Sequence, residues 1–400
     1  MNEKTRVFIV GSGVIGLSVG IGLLKLNSKL QVSIFEKEPN LGYHASGRNS
    51  GVIHAGFYYS PDSLKAKFCR EGNKALTDLI TRNNLSLKKT GKIVVTQNEN
   101  QVQDLIELQR RGDENGVNLE LLDSSDLNKF EPLAQTVSAF LWSPNTSVGS
   151  PSEVIQAMAF EYENLGGILH FNQIVEDIGE GHITLDKKQI CSDLVINCSG
   201  TQALRFAQQM GIGTKLAQLP FIGLYRYTEH SELSLRTLVY PVPDKNYPFL
   251  GVHFTLSSNG KVKIGPTAIP VLGSEQYRPL EGVNIIDIRH SIASLKALTK
   301  NNFTQTLNLA KTELPNLYTK HLIDKAAELV PTSRDVRTWK KYKPGIRAQL
   351  VETDTGSFVQ DFKLAKTDKV LHVLNSVSPG WTSSLPFGSW VAEQGLEMLG

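Results

Sequence analysis

The chain has 400 residues, of which 40% are hydrophobic and 20% charged, and this length can bury the cores of about two domains. A net charge of +3 is too small to indicate a nucleic-acid partner, and no apolar run reaches the roughly 20 residues that cross a bilayer. The three cysteines have neither metal-ligand spacing nor an even-numbered disulfide framework, so we expect no metal site and a cytoplasmic protein.

The first element combines a buried strand, a glycine-rich turn and a helix. The apolar run Val7–Val10 predicts the strand, and a helix is predicted over 14–27. Between them, Gly11 allows a tight turn and Gly13 lets backbone N–H groups approach a pyrophosphate. Gly16 lets the helix pack closely on the strand. The spacing therefore predicts a dinucleotide site with the phosphates at the helix N-terminus.

A second strand of this unit ends in an acidic residue. The pattern over 31–35 predicts the strand, and Glu36 follows it. A carboxylate about 20 residues beyond the glycines accepts hydrogen bonds from a ribose diol. A later strand over 194–197 is followed by the small residues Ser199 and Gly200, which predict a second backbone approach to the cofactor.

The rest of the chain alternates between helical and β-rich segments. Helices are predicted over 61–83, 100–115 and 151–164, and a last helix over 383–399. The β-rich stretch from about 218 to 270 predicts a separate antiparallel sheet, and a helical section follows to about residue 330.

This alternation predicts an α/β protein with two domains. Residues 1–85, 145–215 and 340–400 form the predicted cofactor domain, whereas 86–144 and 216–339 form the predicted substrate domain. Ligands in such folds bind at the carboxyl ends of the strands and between domains.

Two features favour FAD over a nicotinamide cofactor. The chain returns several times to the predicted cofactor domain after the N-terminal glycine turn. A long loop carrying Arg48, Asn49 and Ser50 also follows the first strand–helix–strand unit, where an extended FAD would lie.

Five longer segments carry a family resemblance. The chain resembles the D-amino-acid-oxidase (glycine oxidase) superfamily, and within it the FAD-dependent L-2-hydroxyglutarate dehydrogenase/oxidase family, in residues 49–59, 240–244, 248–253, 345–349 and 378–384. The resemblance implies a Rossmann-like FAD-binding domain of the GR2/DAO type with an inserted α+β substrate domain on a mainly antiparallel sheet. It also implies oxidation of an L-2-hydroxy acid to the 2-oxo acid. Electrons would pass to oxygen or, with peripheral contact to the inner membrane, to a quinone.

The chain departs from the family pattern near residue 220. The arginine and the glutamate of that pattern are Ile222 and Leu224 here, and nearby Arg226 is expected to be an exposed strand residue. If the two missing charges serve a distal carboxylate, monocarboxylates should outperform 2-hydroxyglutarate as substrates.

Oxidation of an alcohol beside a carboxylate needs a base for the hydroxyl proton and a cation for the carboxylate. His54 and His253 are the candidate bases, because a neutral imidazole accepts protons near neutral pH. Arg347 is the candidate for the carboxylate, since a guanidinium matches it with two hydrogen bonds. Further residues predicted to line the substrate pocket are Tyr58, Tyr59, Tyr240 and Thr267.

The predicted cofactor contacts come from four parts of the chain. The resemblance implies that Val175 presents its backbone to the adenine, and that the turn after residue 378 lies at the flavin pyrimidine edge, where N–H groups stabilise a reduced anion. The full predicted set is Gly11, Gly13, Val14, Ile15, Gly16, Glu36, Lys37, Ser46, Arg48, Asn49, Ser50, Val175, Ser199, Gly200, Pro379, Gly380, Trp381 and Thr382.

Two alternatives remain open at this point. The same fold would suit an amine or amino-acid oxidase acting on a specialised substrate. A flavoprotein without turnover, serving a binding or assembly role, would carry the same cofactor motif.

Overall fold

The structure is a computed structural model that describes residues 5–244, 249–279 and 281–400. Pro248, the first residue of one family-like segment, lies outside the described residues.

The strands are short and distributed along the whole chain. In order they are β1 (Arg6–Val10), β2 (Gln31–Phe35), β3 (Val52–Ile53), β4 (Leu87–Lys88), β5 (Lys92–Val95), β6 (Glu120–Asp123), β7 (Ala139–Ser143), β8 (Ser147–Gly149), β9 (Ile168–His170), β10 (Val175–Gly179), β11 (His182–Leu185), β12 (Lys188–Cys191), β13 (Leu194–Asn197), β14 (Leu216–Gly223), β15 (Arg226–Glu229), β16 (Leu238–Pro241), β17 (His253–Leu256), β18 (Lys261–Gly265), β19 (Ile269–Pro270), β20 (Lys340–Lys341), β21 (Gly345–Glu352), β22 (Lys363–Lys366) and β23 (Val370–Asn375).

The helices follow the predicted segments within a few residues at their ends. They are α1 (Val14–Leu26), α2 (Leu64–Arg82), α3 (Val102–Glu114), α4 (Leu127–Phe130), α5 (Pro151–Asn164), α6 (Ala203–Gln209), α7 (Ile285–Glu313), α8 (Thr319–Ala327) and α9 (Ser384–Glu397). Within the described residues, no helix is both long and apolar enough to cross a bilayer.

A six-stranded sheet in the order β22-β23-β13-β1-β2-β9 organises the predicted cofactor domain. Its pairings are parallel except for the antiparallel edge strand β22. Because parallel strands end at one edge, the segments after β1, β2, β13 and β23 meet there. This edge brings together residues that are far apart in the sequence.

Aromatic side chains join the helices that cover this sheet. Phe387 of α9 is fully buried, and its ring centroid lies 4.4 Å from that of Phe362 and 5.7 Å from that of Phe68 on α2. Helices α1, α2 and α5 contribute to the same core. The last helix therefore closes the domain that the first strand begins.

The second large sheet has eight strands in the order β20-β15-β18-β17-β16-β5-β7-β6. Its pairings are antiparallel except for the parallel pair β5 and β16. The mainly antiparallel sheet is thus as expected.

The prediction was wrong in placing residues 221–225 in this second sheet. Strand β14 pairs instead with β21, from Leu216 opposite Glu352 to Gly223 opposite Gly345, and with β19. The long antiparallel pairing of β14 with the distant strand β21 takes precedence over pairing with the strands that follow β14 in sequence. Because β14 and β21 belong to different predicted domains, the proposed domain division stays a prediction.

Replacing Phe387 with alanine should lower the free energy of unfolding by about 3–5 kcal/mol, because it leaves a cavity among three aromatic rings. Urea denaturation of the FAD-bound protein, followed by tryptophan fluorescence, measures the change. Phe160→Ala is the matched control, since this ring is 65% exposed and its removal should cost under about 0.5 kcal/mol. Equal losses in both variants would contradict the packing argument.

Candidate active site

A cavity of about 950 Å³ follows the carboxyl edge of the six-stranded sheet and reaches the eight-stranded sheet. Gly11 and Glu36 line it in one part, and Tyr240 and His253 in another. All the residues predicted for the catalytic, cofactor and substrate sites line this cavity except Gly16 and Thr382.

The glycine turn brings α1 against the end of β1. Gly11 has a φ of +99°, and a Cβ atom there would lie 2.7 Å from the carbonyl oxygen of Cys198. A Cβ atom on Gly16 would lie 1.9 Å from the carbonyl oxygen of Gly11. Gly16 therefore acts through helix packing and does not line the cavity.

The N-terminus of α1 faces the cavity through Gly13, Val14 and Ile15. The N-cap residue Gly13 has no side chain to cap the helix, and the first turn carries no acidic residue. The Val14 N–H donates to Ser46 Oγ at 3.1 Å, which fixes the neighbouring loop. The positive end of the helix dipole thus remains directed at an anion such as a pyrophosphate.

Glu36 is held in place by its neighbours. Its Oε2 accepts hydrogen bonds from the N–H of Ser12 at 2.9 Å and from Ser12 Oγ at 2.7 Å, and its Oε1 accepts from the Glu38 N–H at 3.0 Å. A carboxylate has about four acceptor positions, so one remains for a ribose hydroxyl.

Lys37 lines the cavity within an ion-pair network. Its ammonium pairs with Glu275 and lies 3.5 Å from Glu38. Glu38, His44 and Glu275 place possible metal-ligand atoms within 4.8 Å of one another. Because the Lys37 cation pairs with both carboxylates, it offsets part of the negative charge that would attract a metal ion.

Arg48 and Asn49 shape the loop after β2. The Arg48 guanidinium donates to the carbonyl oxygens of Tyr43 and Pro344 and lies 3.9 Å from the centre of the Tyr277 ring. Asn49 Nδ2 donates to the Ser46 carbonyl oxygen at 2.6 Å. With Ser50, Val175, Ser199 and Gly200, this loop completes the cofactor end of the cavity.

The C-terminal turn contributes Pro379, Gly380 and Trp381 to the wall. Thr382 is fully buried behind them. Its Oγ1 accepts a hydrogen bond from the His54 N–H at 3.1 Å and donates to the Val52 carbonyl oxygen at 3.3 Å. Thr382 thus ties the turn to the segment that carries His54. Although it was predicted as a cofactor contact, it does not line the cavity.

His253 has a fixed tautomer. Its Nδ1 lies 2.8 Å from the Gly251 carbonyl oxygen, which can only accept, so Nδ1 carries the hydrogen and Nε2 a lone pair. The ring stacks on Tyr240 with a centroid distance of 3.8 Å. Burial, aided by the charges of Lys92 and Arg347, lowers the pKa of His253 to about 3. The imidazole is therefore neutral and can accept a proton.

His54 lies in the same environment. It is buried, and its Nδ1 has no hydrogen-bond partner among residues 5–244, 249–279 and 281–400. Burial and the nearby charges of Lys92, His253 and Arg347 hold the pKa of His54 well below its usual range. The structure thus brings both candidate bases together in the neutral form.

Arg347 enters the cavity from β21. Burial lowers the pKa of its guanidinium, and none of the ion pairs among the described residues includes it. The guanidinium lies 5.2 Å from the centre of the Phe249 ring. A desolvated arginine without an anionic partner is suited to a carboxylate ligand.

Two lysines were missed by the sequence reasoning. Lys92 of β5 is fully buried, and its Nζ has no hydrogen-bond partner among the described residues. The Nζ lies 4.4 Å from the ring centres of Phe57 and Tyr58 and 5.0 Å from that of Tyr240. Burial lowers the pKa of Lys92 to about 7. The position of Lys92 in an otherwise apolar strand was the sequence feature that could have indicated a buried cation. Lys65 of α2 lines the cavity, and no motif pointed to it.

The positions of the missing family charges do not face the cavity. Gly223 and Tyr225 line it, whereas Ile222 and Leu224 do not. Ile222 packs against Ile269 and Ile346 on the opposite face of the strand. Charged side chains at positions 222 and 224 would therefore not reach a substrate in this cavity, so their loss gives no reason to expect a preference for monocarboxylates.

Arg226 is also buried rather than exposed, contrary to our expectation. Its Nε and Nη2 donate to Thr319 Oγ1 at 3.0 and 2.9 Å. It does not line the cavity. The alternation of side chains along β15 directs Arg226 inward, and the Thr319 hydroxyl on α8 accepts hydrogen bonds from its guanidinium.

The residues present fit a bound flavin nucleotide. The helix N-terminus and Glu36 suit the phosphates and the ribose of such a ligand. In addition, the buried atoms His54 Nδ1, Tyr58 Oη and Trp381 Nε1 have no hydrogen-bond partner in the part of the protein that the structure describes. Buried polar atoms are normally paired, so unpaired ones around a cavity indicate a ligand with polar edges.

Comparison with known proteins agrees with this arrangement. A family model described as "FAD dependent oxidoreductase" (DAO) matches residues 6–394. The dithionite-reduced L-α-glycerophosphate oxidase from Mycoplasma pneumoniae with FAD bound has the same fold, with a TM-score of 0.75 at 22% identity, over 99% of this chain and 95% of that one. The chain therefore belongs to the DAO family of FAD dependent oxidoreductases. This confirms the predicted fold class and cofactor.

Similarity within the family is more specific. The chain is 31% identical to L-2-hydroxyglutarate dehydrogenase of Indibacter alkaliphilus over 98% of this chain and 99% of that protein. It is 30% identical to L-2-hydroxyglutarate dehydrogenase of Escherichia coli (strain K12) over 96% of this chain and 92% of that protein. The predicted resemblance is thus confirmed, and the chain is an FAD-dependent enzyme.

Replacing Glu36 with alanine should weaken FAD binding about 10- to 100-fold, because the hydrogen bond of a charged group to the ribose is lost. Fluorescence titration of the FAD-depleted protein with FAD measures the change. Glu176→Ala provides the control, since this exposed acidic residue follows Val175 outside the cavity wall. Unchanged affinity in the Glu36 variant would exclude the assigned role.

Proposed function

We propose that the protein oxidises L-2-hydroxyglutarate, or a closely similar L-2-hydroxy acid, to the 2-oxo acid. The observation that carries this proposal is the pairing, in one cavity, of an unpartnered arginine with a neutral histidine of fixed tautomer. The names of the relatives support the choice of a hydroxy acid.

Arg347 binds the carboxylate beside the reacting carbon in this proposal. Two parallel N–H···O hydrogen bonds hold the carboxylate plane, which limits the orientations of the adjacent C2 atom. The cavity walls around Tyr58, Tyr59 and Tyr240 exclude water from the ion pair and strengthen it. Thr267 lines the same wall. Its hydroxyl donates to the Ile222 carbonyl oxygen at 3.1 Å, so its role is to hold the strand.

His253 accepts the hydroxyl proton through Nε2. The Gly251 carbonyl stabilises the resulting imidazolium, because it accepts the Nδ1 hydrogen in both protonation states. The substrate carboxylate also offsets the Arg347 charge, one of the causes that lower the pKa of His253. Substrate binding therefore makes His253 a stronger base. FAD, when bound, supplies the acceptor for the two electrons and the C2 hydrogen.

His54 forms the second polar contact with the substrate in this proposal. Its ring lines the same cavity as His253 and Arg347, and Thr382 holds its backbone. We propose oxygen or a quinone as the final electron acceptor. A quinone acceptor requires peripheral membrane contact, which flotation of the enzyme with quinone-containing vesicles would test.

Anaerobic mixing of the FAD-bound protein with a panel of L- and D-2-hydroxy and 2-amino acids tests the reaction. L-2-Hydroxyglutarate should bleach the flavin absorbance, whereas the D enantiomer should not. Bleaching by amino acids alone would select the amino-acid oxidase alternative. Absence of bleaching by every compound would indicate a flavoprotein without this activity.

Replacing His253 with asparagine should lower kcat about 10²- to 10⁴-fold through loss of the base, with the flavin spectrum retained. His230→Asn is the control, because His230 is an exposed residue outside the cavity. Normal turnover by the His253 variant would assign the base elsewhere.

The pH profile should also reflect the environment of His253. A histidine is a base only above its pKa, and burial lowers the pKa of His253 to about 3. Its protonation should therefore not reduce kcat/KM of the wild-type enzyme between about pH 7 and pH 5. A fall in kcat/KM with a midpoint at about pH 6.5, absent from His253→Asn, would contradict this assignment.

A further inference from the structure

Lys65 places a second cation in the cavity that contains Arg347. It lies in the first turn of α2 and lines the cavity, with its Nζ 5.8 Å from the centre of the Tyr59 ring. Among the described residues, its ammonium forms no ion pair and no hydrogen bond within standard distances. Both Lys65 and Arg347 line the cavity, and burial, with a smaller contribution from the Arg347 charge, lowers the pKa of Lys65 to about 8.

The acidic residue beside Lys65 is already engaged. The carboxylate of Asp361 accepts hydrogen bonds from the N–H groups of Leu64 at 2.8 Å, Lys65 at 3.0 Å and Phe362 at 2.8 Å. Two of these three donors are at the start of α2, so Asp361 caps that helix. The Asp361 charge acts to raise the pKa of Lys65, but neither carboxylate oxygen accepts a hydrogen bond from the ammonium among the described residues, so the ammonium keeps its donors for a ligand.

In the described ranges of the chain, the other lysine and arginine side chains that line the cavity either have partners or, like Arg205 with its unpartnered Nε, lie at the cofactor end. Arg111 Nε donates to Glu107 at 2.8 Å. Lys37 pairs with Glu275, and Arg48 donates to two carbonyl oxygens. Arg205 lies on α6, next to the Ser199 and Gly200 segment at the cofactor end. Lys65 and Arg347 are thus the pair suited to a ligand with two negative charges.

We propose that Lys65 is a specificity-determining residue that binds the distal carboxylate of a dicarboxylic L-2-hydroxy acid, while Arg347 binds the carboxylate next to the hydroxyl. This inference rests on the proposed function. It accounts for a diacid substrate without charges at Ile222 and Leu224, since those side chains do not line the cavity. The selectivity lies in the second ion pair, because a monocarboxylate leaves the Lys65 charge desolvated and unpaired.

The test compares Lys65→Met with Lys67→Met, a matched change two residues away at an exposed position. Anaerobic stopped-flow measurements with the FAD-bound enzymes follow flavin reduction by L-2-hydroxyglutarate and by L-2-hydroxypentanoate, which has the same chain length without the distal carboxylate. The ratio of kcat/KM for the diacid to that for the monoacid should fall about 10- to 100-fold in Lys65→Met. Lys65→Arg should retain most of the ratio, and Lys67→Met all of it.

A ratio that is unchanged in Lys65→Met overturns the inference. Binding to the wild-type FAD-bound protein gives a second measurement that needs neither a folded variant nor turnover. Glutarate should perturb the flavin spectrum at concentrations at least about 10-fold lower than pentanoate. Equal affinities would also overturn the role of Lys65. If no 2-hydroxy acid reduces the flavin yet glutarate binds selectively, the proposed function fails and the dicarboxylate site stands.

Discussion

Basic side chains in or beside one cavity, which form no ion pair within the described part of the chain, determine the electrostatics of this site. Arg347 and Lys65 line the cavity, and Lys92 lies fully buried behind its aromatic wall. Removing a cation from water costs free energy unless an anion compensates, so these positions disfavour any function without an anionic ligand. Burial, reinforced by the charges of Lys92 and Arg347, holds His54 and His253 neutral, so each ring keeps a nitrogen lone pair to which a proton can be added.

The two sheets supply the two ends of one reaction site. Parallel strands place the glycine turn, Glu36 and the segment after β13 along a single edge, where a dinucleotide can extend. The pairing of β14 with β21 then carries Arg347 to the wall of the cavity that His253 reaches from β17. Thr382 joins the C-terminal turn to His54, so the cofactor end and the reaction end are mechanically connected.

Local motifs identified residues that the structure brings to one end of the cavity, because these residues lie close together in sequence. Gly11 and Glu36 required only a strand, a turn and a second strand to be identified, and both line the cavity. Ile222, Leu224 and Arg226 were interpreted less well. Strand alternation and register decide whether their side chains face the cavity, and the partner of β14 is about 130 residues away, as the pairing of Ile222 with Ile346 illustrates.

The amino-acid sequence by itself determined the dinucleotide motif, the family resemblance and the types of side chain available for an alcohol oxidation. Only the tertiary structure decided which of those side chains share a cavity and which cations within it lack a partner. Lys65 and Lys92 illustrate the difference. Each is an ordinary lysine in sequence, and only burial and the absence of an ion pair give it a distinctive charge environment. Both properties depend on contacts between distant segments, which local patterns do not encode.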